Sequence, residues 1–270
     1  MEPGVQHRRF IIAGLHVVLI LARLVASGFP SVSPSLAQLN QRHSREIEAE
    51  VAHWSAQFKS GDPEERREAA MKLSRIEGSA ATSALVAALT DPSPLVRAAV
   101  VASLGERADA SVASPLAARL TSDKDAFVRK TAAYALGRFS GAERTAALLA
   151  ALKDKDPEVR GAAAVALGDH AESAAVVPLA AALSDKSAFV RAQAAHALGV
   201  DGSAARQAVP ALIGLLASDH DGEVKRQAAT ALGSIGDRSA LQALDRATHD
   251  SDPYLAQAAR DSIRMMERTR

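Results

Sequence analysis

Five cations stand at near-equal intervals along this chain: Arg97, Arg129, Arg160, Arg191 and Lys225, with steps of 32, 31, 31 and 34 residues. A row of that kind on one face could hold an anionic ligand. Each cation, however, follows a hydroxyl or carboxylate by four residues (Ser93, Asp125, Asp156, Ser187, Asp221). A further aspartate lies two residues before each of these (Asp91, Asp123, Asp154, Asp185, Asp219). Every cation thus has carboxylates at hand, and the ladder reads as structural. Exposed ion pairs contribute roughly 0–1 kcal/mol each, so the value of such pairs would lie in fixing register.

Histidines raise a second chemistry. His170, His196, His220 and His249 recur down the chain, but the residues after two of them are not ligands: Ala197 follows His196, and Ala171 follows His170. A metal centre needs several imidazoles and carboxylates converging, and this pattern does not supply them. No nucleophile elbow, phosphate-binding glycine loop or paired catalytic carboxylates stand out. We expect no catalysis, no metal and no cofactor.

These groups are carried by a repeated element. Val precedes each Arg, and Leu-Gly follows seven residues after the Arg: Val96-Arg97 with Leu104-Gly105, Val128-Arg129 with Leu136-Gly137, Val159-Arg160 with Leu167-Gly168, and Val190-Arg191 with Leu198-Gly199. Val224-Lys225 with Leu232-Gly233 is a fifth copy. In the cleanest copy Asp156 is placed to cap a helix, as Ser93, Asp125, Ser187, Asp221 and Asp252 are in the others, and Pro157 to occupy its first position. Val159, Ala163, Ala166 and Leu167 share one helical face, and Gly168 is placed to end the helix in a left-handed conformation. Asp62 with Glu65 reads as a capping box. A second apolar helix follows in each unit, and alanine at its crossings suits close packing. Self-similarity at this period marks a stack of helix pairs rather than one large core. Six pairs are expected from near Asp62, Asp91, Asp123, Asp154, Asp185 and Asp219, then a closing helix from Asp252. No strand is expected.

The D-P-x-V-R-x-x-A-A-x-A-L-G pattern, matched at several points in one register, resembles the HEAT-repeat family in its short, PBS-lyase-like form. The resemblance covers roughly residues 62–266. It implies an all-α fold, a right-handed α-solenoid with a concave surface lined by the Val-Arg helices, and ties from each Arg to Asp in its own or the adjacent unit. It implies no single activity. The alternative to a non-catalytic scaffold is an enzyme or enzyme subunit of the bilin-lyase or deoxyhypusine-hydroxylase-like group, whose ligand motifs are absent here.

Residues 38–61 are expected to form an N-terminal capping helix, from about Ser44 to Lys59, with Ile47, Val51, Trp54 and Phe58 as its apolar face; the solenoid would occupy 62–270. Residues 1–37 have a different layout. Arg8-Arg9 precede an apolar run from Phe10 to Ala22, and Ser35-Leu36-Ala37 supplies small residues for cleavage. This reads as an export signal and hence a periplasmic or other extracytoplasmic protein; the rival is an inner-membrane anchor over residues 10–29. The chain lacks cysteine, which excludes disulfides and thiolate metal sites. Of its 32 basic and 31 acidic residues, Arg8, Arg9, Arg23 and Glu2 lie before residue 38, so the rest is close to neutral. Such a body is not suited to general nucleic-acid binding, which wants a basic face.

Function is best sought where the repeat varies. The second, third and sixth positions after each Val should face the groove, and Phe139 and His170 should extend that side. Lys130, Tyr134, Phe139, Val165, His170, Gln193, His196 and Arg226 are the candidate contacts for a protein or peptide partner. The protein is expected to act as a monomer or within a hetero-complex.

Overall fold

The computed structural model describes residues 36–107, 109–170 and 173–268. The expected export segment or anchor falls almost wholly outside them. The chain forms two compact units, Met1–Glu46 and Ile47–Arg270. The described part of the first, residues 36–46, is helical and exposed.

All regular structure among the described residues is helical. Helix α1 spans Leu36–Gln57, beginning earlier and ending sooner than its sequence suggests. From Ile47 onward it belongs to the second unit. There Val51 joins the core, and Ile47, Trp54 and Phe58 pack against it. Lys72 Nζ sits 5.4 Å from the centre of the Trp54 ring, so this tryptophan is a packed lid.

Six helix pairs follow. They are α2 (Pro63–Leu73) with α3 (Ser79–Ala88), α4 (Pro94–Glu106) with α5 (Ala113–Ser122), and α6 (Ala126–Leu136) with α7 (Ala142–Ala151). Then come α8 (Pro157–Gly168) with α9 (Ser173–Ala182), α10 (Ala188–Val200) with α11 (Val209–Ser218), and α12 (Gly222–Ile235) with α13 (Leu241–Ala247). Helix α14 (Pro253–Arg268) closes the series. The Val-Arg helices α2, α4, α6, α8, α10, α12 and α14 each pack on the next, forming one row; the second helices of the pairs lie along a second row, in which α5 packs on α7, α7 on α9 and α11 on α13. One apolar core runs between the rows, with Val96, Val128, Val159, Val190, Val224 and their partner leucines fully or almost fully buried. The arrangement is an α-solenoid.

Three local expectations are corrected. The aspartates at positions 62, 125, 156 and 221 cap their helices, but Ser93 and Ser187 make no side-chain cap bond. No capping box forms at Asp62: its N–H donates to Ser60 Oγ at 3.1 Å, and Glu65 accepts from Gln57 and Ser60. The Leu-Gly glycines do not stop helices in a left-handed conformation. Positive φ among the described glycines belongs to Gly78, Gly141, Gly202 and Gly236, and Gly236, three residues beyond Gly233, ends α12.

The Leu-Gly glycines instead allow helices to touch. A Cβ on Gly105 would lie 2.7 Å from Ala135 Cβ, one on Gly168 2.8 Å from Ala197 Cα, and one on Gly199 3.0 Å from Ala231 Cα. Each partner is the alanine just before Leu in the next unit. At the last step Gly233 faces Ser262, whose hydroxyl donates to Ala229 O at 2.9 Å.

Candidate functional site

The cation ladder resolves into joints between units. Arg66, Arg97, Arg129, Arg160 and Arg191 each donate from Nε and Nη2 to both oxygens of an aspartate in the following turn, at 2.7–3.0 Å. The acceptors are Asp91, Asp123, Asp154, Asp185 and Asp219. The third nitrogen of Arg97, Arg129, Arg160 and Arg191 donates to the backbone carbonyl of the aspartate in its own turn, at 2.8–3.0 Å. Each of Asp91, Asp123, Asp154 and Asp185 is therefore held twice, by the arginine behind through its side chain and by the arginine ahead through its backbone.

These pairs are not the exposed contacts assumed from sequence. Side-chain exposure runs from 2 to 17% across the five. Burial pushes the carboxyls of Asp91, Asp123 and Asp154 up, yet arginine and a backbone N–H outweigh it and hold each below the ordinary carboxylate value. For Asp185 and Asp219 the arginine bond is itself the largest influence, again downward. Guanidinium groups whose donors are taken up this way are poorly placed to receive a ligand.

The residues left over form a narrow stripe. Among the described residues after Glu46, the large apolar side chains that stay exposed are Met71, Leu95, Phe127, Tyr134, Val177, Val200, Tyr254 and Met265. All but Val177 lie on the Val-Arg row. Numbered from the Val position, which Glu65 holds in α2 and Leu255 in α14, they occupy only −1 (Leu95, Phe127, Tyr254), +6 (Met71, Tyr134) and +10 (Val200, Met265). At about 100° per residue those three positions fall within about 40° of one another on the helix.

Of the candidate residues, Tyr134 and His196 are exposed in this stripe, and Val165 is half-buried in it. Gln193 is half-buried beside it. Lys130 lies 5.5 Å over the Phe127 ring and 3.7 Å from Glu158. Burial, and then the nearby Glu158 carboxylate, raise the Tyr134 pKa above its ordinary value. Arg226 is engaged by Glu223 at 2.9 Å and Asp252 at 2.6 Å. His170 is exposed but turned onto the end of α6, with Nε2 2.8 Å from Gly137 O. Phe139 is a correction: it is 7% exposed and belongs to the core. After Gly137 the chain turns inward to start α7, carrying the ring with it.

Leu95, Phe127 and Tyr254 escape the sequence reading because position −1 is not among the offsets it uses. Position −1 is seven residues before +6, two helical turns, and so shares its face. Between α10 and α12 the stripe dips into a cleft of 140 Å³ lined by His196, Val200, Gln227, Thr230 and Ser234. That is below the roughly 300 Å³ at which small-molecule pockets begin, and it suits a side chain. Among the described residues no group of three or more His, Asp or Glu is placed to hold a metal ion.

The HEAT-repeat family model matches residues 51–137, 145–205 and 178–264. The chain belongs to the HEAT-repeat family. No curated protein matches it. Among solved structures it is similar to YibA of Escherichia coli, with a TM-score of 0.62, 21% identity, and 88% of this chain and 89% of that one covered. It is also similar to the complex of CpcE and CpcF of phycocyanin lyase from Nostoc, with a TM-score of 0.50, 22% identity, and coverage of 90% and 98%. Human deoxyhypusine hydroxylase in complex with glycerol matches with a TM-score of 0.42, 24% identity, and coverage of 84% and 91%. These identities establish likeness of fold alone.

Proposed function

We propose that this HEAT-repeat protein is a non-catalytic scaffold that captures a protein partner along the exposed stripe of its Val-Arg helices. One observation carries the reading: among the described residues after Glu46, seven of the eight exposed large apolar side chains fall on one row of helices, at three positions of one register. Scattered surface apolar residues are normal; alignment in one register on α2, α4, α6, α10 and α14 of a single row is the property of a contact surface. The aromatic members Phe127, Tyr134 and Tyr254 are residue types that dominate interface energetics. A rigid stack would present them preorganised, lowering the ordering cost of binding.

The CpcE–CpcF complex offers a precedent in fold for assembly with a second chain, and a hetero-complex is part of this proposal. So is export: Arg8-Arg9 ahead of Phe10–Ala22 supports it. No helix among the described residues is long and apolar enough to cross a membrane.

In-cell photo-crosslinking tests the reading. A benzophenone side chain placed at 127, 134 or 254 should give one discrete adduct in the native host. The same group at Ala118 or Ala181, exposed on the second row, should not. Equal labelling from both rows would refute it.

A further inference from the structure

The five bidentate joints stop before the last junction. Where α12 meets α14 the ladder position holds Lys225, whose Nζ reaches Asp250 Oδ2 at 3.9 Å, with the two side chains 24% and 30% exposed. A substitute tie, Arg226 to Asp252 at 2.6 Å, is similarly open at 31% and 27%, and Arg226 is shared with Glu223. Helix α14 fully buries one large apolar side chain, Leu255, with Ala256, Ala259 and Ser262, and packs Ile263 and Met266 against the core only in part, whereas α12 buries Val224, Leu232 and Ile235.

We infer that α14 is a displaceable closing helix whose hold on the stack is set by ionic strength, while the five inner junctions are insensitive to it. Salt screens solvent-exposed charge pairs strongly and buried ones much less. The Lys225 and Arg226 ties, 24–31% exposed, are more open to screening than the five arginine joints at 2–17%. Local opening favours the segment with less buried apolar surface, which again selects α14 over α6 and α8. Its departure would uncover Gly233 and the Ala229 carbonyl, where Ser262 now sits.

Hydrogen–deuterium exchange on the full chain, at about 50 and about 500 mM sodium chloride, tests this. Amides of residues 253–268 should exchange at least about threefold faster at high salt, while those of α6 and α8 keep their rates. Lys225→Arg, which restores a guanidinium able to grip Asp250 with two bonds, should remove most of the salt effect. Asp250→Asn should reproduce fast exchange at low salt. The inference is overturned if α14 exchange does not respond to salt, if α6 and α8 accelerate in parallel with it, or if Lys225→Arg leaves the salt effect intact.

Discussion

Arg129 and Asp154 belong to consecutive units and meet through two bonds, Nε to Oδ2 at 2.7 Å and Nη2 to Oδ1 at 2.8 Å. The same guanidinium reaches back to Asp123 O at 3.0 Å. One side chain thereby fixes the spacing of two turns, and repetition of this joint sets the register of the stack.

Breaking one partner of such a joint should be costly. Asp154→Ala leaves a largely buried guanidinium without its counter-ion and should destabilise the protein by about 3–5 kcal/mol. The double replacement Arg129→Met with Asp154→Leu should cost less than that single change. Urea denaturation followed by circular dichroism measures both; a loss below about 1 kcal/mol for Asp154→Ala would place the pair among exposed contacts.

The glycines offer a paired test. Gly168→Ala should cost about 1–3 kcal/mol, because the new methyl meets Ala197 backbone at 2.8 Å. Gly214→Ala, in α11 with nothing within 4 Å of the added atom, should instead stabilise by about 0.4–1 kcal/mol. Thermal melts of the two variants should move in opposite directions.

Acid should dissolve the ladder. Asp91, Asp123, Asp154, Asp185 and Asp219 titrate below their unfolded values, so the unfolded chain binds protons more readily. Their contribution is complete above the unfolded value of about 3.9 and is lost as pH falls through the lower folded values. The melting temperature should hold steady down to about pH 5 and then fall. In the Asp154→Asn variant that fall should be shallower.

Much of this architecture is legible in residue types. The Val, Leu and Arg periods announce the pairs, and each of the six expected starting points precedes an observed helix. The glycines mislead because a Leu-Gly at a helix end looks the same whether Gly is needed for φ or for space; only the neighbouring alanine decides, and it lies about thirty residues away. Phe139 misleads for a related reason. A ring just after a helix stop turns in or out according to the next helix, which local spacing does not encode. Tyr134 and His196 are found because helical offset alone determines their face. Leu95 and Phe127 needed the same arithmetic carried one residue upstream of Val.

Tyr134 reports on its own surroundings. With Tyr254→Phe removing the other tyrosine, ultraviolet titration should show a phenol midpoint above the ordinary value of about 10. Glu158→Gln should lower that midpoint without bringing it fully back, since burial is the larger influence. A midpoint indifferent to Glu158 would move Tyr134 away from the α8 edge of the stripe.

The most direct test of the central claim, that the stripe is the partner surface, compares crosslinked adduct from a benzophenone at position 134 in the parent chain and in two variants. Phe127→Asp puts a charge in the stripe, on the same helical face as the probe. Val177→Asp puts the same charge on the exposed second row. With melting temperatures unchanged, adduct should be lost in Phe127→Asp and retained in Val177→Asp. Retention in both, or loss in both, would contradict the account.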